Sequence, residues 1–158
     1  MPTEIERKFL VTSDAWRDSA LSSVRYRQGY LSRGAQSAIR VRTDGETAFL
    51  NIKSSVDGIT RLECEYPIPL TDADEILDRI ALRPIIAKTR HFVDYGGRRW
   101  EIDVFEAENA GLVVAEVELE AADARLDLPP WVGLEVSADA RYYNSTLSEV
   151  PFSQWPRD

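Results

Sequence analysis

Glu4, Glu6 and Lys8 occupy every second position of the run Thr3-Glu4-Ile5-Glu6-Arg7-Lys8-Phe9-Leu10-Val11. A period of two is the strand period, so an extended segment places two carboxylates and an ammonium on one face. Hard divalent cations take oxygen ligands and phosphate oxygens take cationic partners, so this face suits a cation beside an anionic ligand. A solvated strand face has the same pattern, and an isolated Glu-x-Glu-x-Lys does not separate the two readings.

The alternation recurs along the chain. Arg40 and Arg42 share a face in Ile39-Arg40-Val41-Arg42, and Leu50-Asn51-Ile52-Lys53 and Arg61-Leu62-Glu63-Cys64-Glu65 follow. Then come Lys88 and Arg90, Glu101 and Asp103, and Glu116, Glu118 and Glu120. Between these positions lie Ile5, Val41, Ile52, Leu62, Ile102, Val104, Val117 and Leu119, an apolar face on nearly every strand. Same-sign neighbours are frequent, whereas a solvated face usually interleaves the signs. Two unit charges about 4 Å apart interact by roughly 4 kcal/mol at an effective dielectric near 20, so a buried like-charged pair needs a counter-ion. A divalent cation suits the acids and a polyphosphate suits the bases.

These faces need strands to carry them. Pattern and turn signals predict strands over 3–11, 24–33, 37–43, 46–54, 60–68, 86–95, 98–106 and 112–120, joined in part by Asp44-Gly45, Asp57-Gly58 and Gly96-Gly97. A helix is expected from Thr71, with a Thr71-to-Asp74 capping box and Ala73, Ile76, Leu77 and Ile80 on one face. A short helical turn is expected within Thr12 to Arg17, irregular chain at Leu128-Pro129-Pro130-Trp131, and a terminal helix from Asp139 to Glu149. No repeat or linker interrupts residues 1–158, so one domain is expected.

A formal charge of −8, from 27 acidic and 19 basic residues, argues against a general nucleic-acid binder but leaves room for a local cationic pocket. Cys64 is the only cysteine, which excludes an intrachain disulfide and fits a reducing cytoplasm; its expected role is a small buried hydrophobe. No charged-then-apolar leader or membrane-length apolar run is present, so neither export nor a membrane partner is expected.

Two architectures accommodate the alternation. In a sandwich the apolar faces meet and the charges face water; in a closed barrel the charges line the interior and the apolar face is covered from outside. The second requires every interior charge to be paired, hydrated or bound to ligand.

Glu4-Ile5-Glu6-Arg7-Lys8 resembles the Glu-x-Glu-x-Lys signature of the CYTH superfamily, the triphosphate tunnel metalloenzymes. Gln28-Gly29-Tyr30-Leu31, Arg40-Val41-Arg42, Asn51-Ile52-Lys53, Arg61-Leu62-Glu63-Cys64-Glu65, Lys88-Thr89-Arg90, Trp100-Glu101-Ile102-Asp103-Val104-Phe105 and Glu116-Val117-Glu118 resemble its successive strands in order. The resemblance implies a mainly β fold: an eight-stranded closed antiparallel β-barrel, or tunnel, with a few covering helices. It also implies one or two Mg²⁺ or Mn²⁺ ions and a small anionic triphosphate substrate, and it leaves a homodimer open.

By that resemblance Lys8, Arg40, Arg42, Lys53, Lys88 and Arg90 face the phosphate chain, while Glu4, Glu6, Asp103, Glu116 and Glu118 are the metal-facing acids. Catalysis is assigned to Glu4, Glu6, Lys8, Lys53 and Arg90, and support to Arg61, Glu63, Glu65 and Glu101. Tyr30 either reaches substrate or packs as an aromatic; His91, the only histidine, falls on the opposite face from Arg90 and is not expected to be a catalytic base. The implied reaction is hydrolysis of inorganic triphosphate. Thiamine triphosphatase, with Trp131 or Trp155 at the thiamine end, class IV adenylyl cyclase and a non-catalytic polyphosphate-binding module are the alternatives.

Overall fold

Nine strands and two α-helices make up residues 3–156, the part that the computed structural model describes. The strands are β1 (Thr3–Val11), β2 (Ala20–Arg33), β3 (Ser37–Thr43), β4 (Ala48–Ser54), β5 (Thr60–Ile68), β6 (Ile86–Tyr95), β7 (Arg98–Phe105), β8 (Val113–Glu118) and β9 (Val132–Glu135). The helices are α1 (Leu70–Arg79) and α2 (Asn144–Leu147).

Every pairing is antiparallel, in the order β5-β4-β3-β2-β6-β7-β8-β1, and β1 then meets β5 so that the sheet rings round. The closure uses only the start of β1: Thr3, Glu4 and Ile5 pair with Leu62, Arg61 and Thr60. The same edge of β1 then passes to β9, where Phe9 pairs with Glu135 and Val11 with Val132. This ninth strand lies outside the eight expected, because its four residues follow the Pro129-Pro130 break and carry little alternation of their own.

The apolar faces point outward and are covered except over part of β4 and β5. Phe9, Val93, Trp100, Ile102, Ala115 and Val117 pack with Trp16 of the 3₁₀ turn Ala15–Ser19 and with Trp131 of the irregular segment. On the other side Ala73 and Leu77 of α1, with Ala81 beyond it, pack on Val41 and Ala48. Full burial of such side chains contributes about 1.5–3 kcal/mol each, which sets the polar faces inside the ring. Gly29 permits the close approach of α1 and of the chain that follows it: a Cβ there would stand 3.0 Å from Leu77 Cδ2 and 2.8 Å from Ala81 Cβ and from Ile85 Cδ1.

Several local expectations need correction. β2 begins at Ala20, four residues early, because its first half continues the ladder with β6. The cap of α1 is Pro69 with no side-chain hydrogen bond, so the Thr71–Asp74 box does not form, and Ile80 lies beyond the helix at 65% exposure. The expected terminal helix is instead a 3₁₀ turn, Ala140–Tyr142, followed by the single turn of α2. Cys64 is half-buried rather than buried, since the outer face of β4 and β5 is left partly open at Ile52, Leu62 and Tyr66.

Candidate functional site

Inside the ring lies a cavity of about 240 Å³ whose lining includes residues from eight strands and from the segment around Tyr143. One end is filled. Ile86 and Phe105 continue the inward alternation of β6 and β7, and with Leu112, Val114 and Leu147 of α2 they form an apolar plug. Arg33 fastens this plug, donating from Nη1 to Ser148 O at 2.8 Å and to its Oγ at 3.0 Å. The cavity's ionic lining sits against that plug.

The first strand places its trio as the period requires: Glu4, Glu6 and Lys8 all line the cavity. Across the ladders Glu6 faces Glu118, Lys8 faces Glu116 and Glu4 faces Arg61. Arg61 Nη2 donates to Glu4 Oε1 at 3.2 Å, and Lys8 Nζ lies 3.4 Å from Glu116 Oε1 while donating to Tyr142 O at 3.1 Å. Arg40, Arg42, Lys53, Lys88 and Arg90 line the same space, as do Tyr30, Glu63, Glu101, Glu116 and Glu118. Tyr30 is both buried and part of the lining, so its two readings are compatible.

Two residues of the expected set, Asp103 and the supporting Glu65, lie outside the cavity lining. Asp103, expected among the metal-facing acids, lies fully buried behind the lining, where it accepts from Lys88 Nζ at 2.7 Å and from Arg90 Nε and Nη2 at 2.8 and 2.9 Å. Burial alone would raise its pKa, but Arg90 and Lys88 hold it well below the carboxylate range. In this structure both of its oxygens are taken by Lys88 and Arg90. Glu65 falls outside the cavity lining; it accepts from Asn51 Nδ2 at 2.6 Å and stands 4.0 Å from Arg42.

The remaining charges divide by how well they are compensated. Arg90 is compensated by Asp103, Glu101 and Glu116, and Lys53 Nζ stands 2.8 Å from Glu63. Arg40 is 5% exposed, has no carboxylate partner among the described residues, and leaves its Nε without a hydrogen bond. Beside it, burial and then the charges of Arg40 and Arg61 push Lys53 down to about 8; burial, Arg40 and Arg90 also lower Arg42. On the acidic side, burial followed by Glu116 and Glu4 pushes Glu6 up to about 8, and burial with Glu4 and Glu63 raises Glu118. Among the described residues Arg40 thus has no carboxylate within salt-bridge distance, and Glu6 has no cation within it.

Among the described residues no three carboxylates, histidines or cysteines are arranged to hold a metal ion by themselves. Mg²⁺ is commonly held by one or two carboxylates with waters and substrate phosphates, so Glu6 with its neighbours fits a cation that phosphate oxygens complete. Trp131 packs in the outer core and Trp155 stacks on Tyr142 and Phe152, so neither reaches the cavity.

The sequence reading missed Ser137, Tyr143, Asn144 and Ser145, which also line the cavity. Ser137 and Tyr143 lie in irregular chain, and Asn144 and Ser145 open the single turn of α2, which is too short to show a period. Gln28 and Asn51 are fully buried polar residues on the inner faces of β2 and β4, and their alternation with Tyr30 and Lys53 was a usable signal.

Ring, plugged end and walls of opposite sign define the class: a β tunnel with an ionic interior. The sequence profile of the CYTH domain matches residues 2–151, and this chain belongs to that family. It is 42% identical over 155 residues to an inorganic triphosphatase of Acetivibrio thermocellus, covering 98% of this chain and 99% of that one. It is 37% identical over 150 residues to an inorganic triphosphatase of Nitrosomonas europaea, covering 92% and 97%. A crystal structure of an inorganic triphosphatase, 35% identical, superposes with a TM-score of 0.69 over 94% of this chain and 95% of that one. Among the described residues no helix is long and apolar enough to cross a membrane.

Proposed function

We propose that the chain hydrolyses inorganic triphosphate to pyrophosphate and phosphate in a reaction that requires Mg²⁺ or Mn²⁺. The observation that carries this reading is the double imbalance of the cavity: Arg40 is a buried cation with no carboxylate within salt-bridge distance among the described residues, and Glu6 is a carboxylate driven toward its neutral form by burial and by Glu116 and Glu4. A polyphosphate with a bound divalent cation supplies both missing charges at once. Two relatives that align along nearly their whole length are inorganic triphosphatases, which supports the same substrate.

Lys8, Arg40, Arg42, Lys53, Lys88 and Arg90 hold the phosphate chain, the arginines through their forked donors and the lysines as point charges. Glu4, Glu6, Glu116 and Glu118 face the cation, which when bound polarises phosphoryl oxygens and shields the approach of an attacking oxygen. A water ordered by the Glu6 and Glu118 pair attacks the terminal phosphorus and its proton passes to a carboxylate. The anhydride P–O bond breaks with its electron pair on the leaving pyrophosphate, whose added charge the basic wall stabilises. Neither Ser/His/Asp nor Cys/His chemistry is needed, and the reducing cytoplasm is the setting that suits a chain whose one cysteine is free.

The test is phosphate release from tripolyphosphate, thiamine triphosphate, ATP and pyrophosphate, each with Mg²⁺, Mn²⁺ or chelator, alongside a cyclic-AMP readout. Preferred turnover of tripolyphosphate that disappears with chelator is the expected result. Cyclic AMP as the main product would overturn it, and tripolyphosphate binding without turnover would make the chain a binding module.

A further inference from the structure

Lys88 is 1% exposed, yet it lines the cavity. Its ammonium has three donors, and two are engaged: Nζ donates to Asp103 Oδ2 at 2.7 Å and to Asn144 Oδ1 at 3.1 Å. With two hydrogens of a tetrahedral group pinned, the direction of the third is set; the Phe105 ring stands 5.5 Å from Nζ on one side, and no hydrogen-bond acceptor among the described residues takes the third donor. Asn144 is itself held. Its Oδ1 also accepts from Gln28 Nε2 at 2.9 Å, so flipping the amide would press its NH₂ against the ammonium and the Gln28 amide together. Three residues on, Leu147 is fully buried in the apolar plug, which anchors the turn that carries Asn144.

We propose that Asn144 is a positioning residue of the reaction: acting through Lys88, it aims the free ammonium N–H at a phosphoryl oxygen of the substrate. This rests on the triphosphate reading above. A freely rotating ammonium still attracts an anion, but an aimed one meets the charge that develops in the transition state, so the contribution falls mainly on turnover.

The experiment is a double-mutant cycle of Asn144→Ala and Lys88→Ala, with kcat and KM for tripolyphosphate and a thermal melt for each protein. Asn144→Ala should lower kcat about 10- to 100-fold, the range for a hydrogen bond to a charged group, with KM changed less than about 3-fold. In the Lys88→Ala background the same change should alter kcat less than about 2-fold, because the group through which Asn144 acts is gone. Asn144→Asp keeps an acceptor and should recover most of kcat while raising KM through its added negative charge. Equal losses in both backgrounds, or a loss confined to KM, would overturn the proposal and leave Asn144 a structural part of the plug. If the wild-type chain turns over no tripolyphosphate, the functional reading fails separately. Tripolyphosphate affinity by calorimetry then tests only the contact: additive effects refute a coupling of Asn144 to Lys88, and non-additive ones support the coupling while the role in turnover falls with the functional reading.

Discussion

Replacing Glu6 by Gln should make the protein more stable at alkaline pH when no divalent cation is present. The pKa of Glu6 is pushed from 4.5 to about 8, first by burial and then by Glu116 and Glu4. Between these values the folded state keeps a proton that the unfolded chain has lost, so stability falls as pH rises through this window and the deficit is complete above about 8. At 1.36 kcal/mol per pH unit the ceiling is on the order of 5 kcal/mol. Partial contact with solvent in the cavity reduces this to about 3 kcal/mol. In a chain of this size, about 2–4 °C per kcal/mol corresponds to a rise of roughly 6–12 °C in Tm for Glu6→Gln at pH 8.5. The assay is thermal unfolding of both proteins from pH 4 to 9 in chelator and again with Mg²⁺. The curves should meet near pH 4, diverge above pH 5 in chelator, and converge again at high pH when Mg²⁺ stabilises only the wild type. A constant Tm difference across pH in chelator would refute the argument, because Glu6 would then carry no displaced proton.

Two further substitutions probe the opposite wall and its support. Arg40→Met should raise KM for tripolyphosphate about 10- to 100-fold by removing charge-assisted hydrogen bonds. It should leave the melting temperature unchanged or higher, because Arg40 has no carboxylate partner among the described residues; a large fall in Tm would show an internal role. Asp103→Asn removes the shared partner of buried Lys88 and Arg90 and should cost about 3–5 kcal/mol in urea unfolding, with turnover lost at the same time.

The inner faces of the ring were legible because charge alternates with apolar residues at the period a strand imposes, and Glu4, Glu6 and Lys8 arrive together for that reason alone. What alternation does not encode is depth behind the face. Asp103 has the same inward parity as Glu101, yet it lies beneath Lys88 and Arg90, because register with Arg90 on β6 brings it against two cations before any ligand can reach it. Nor does alternation reach Asn144. Its place follows from burial of Leu147 among Ile86, Phe105 and Val114, a long-range packing event with no local periodicity. The closing seam was hidden for a related reason: one edge of β1 is shared between β5 and β9, and nothing in a strand's own sequence says where a neighbour stops.

The charge of the ring also bears on how many cations accompany the substrate. Among the described residues seven basic side chains line the cavity (Lys8, Arg40, Arg42, Lys53, Arg61, Lys88, Arg90) against six acidic ones (Glu4, Glu6, Glu63, Glu101, Glu116, Glu118), and Asp103 behind them brings this set to formal neutrality. Tripolyphosphate carries about four to five negative charges near neutral pH, from terminal groups of about −1.5 to −2 and a central one of about −1. One divalent cation would leave the buried assembly with a net charge of about −2 to −3, which a low-dielectric interior resists; two bring it close to neutral. The acids that would meet such a pair are spread along the wall: Glu6 faces Glu118 across one ladder position, and Glu116 stands two residues further along, opposite Lys8. Calorimetric titration of Mg²⁺ or Mn²⁺ into the protein with a non-hydrolysable tripolyphosphate should therefore give two cations per chain, and proton release at pH 7 as Glu6 ionises. A stoichiometry of one with no proton release would mean that the protonated acids already balance the substrate. Glu6 would then be a proton donor in the bound state and not a metal ligand.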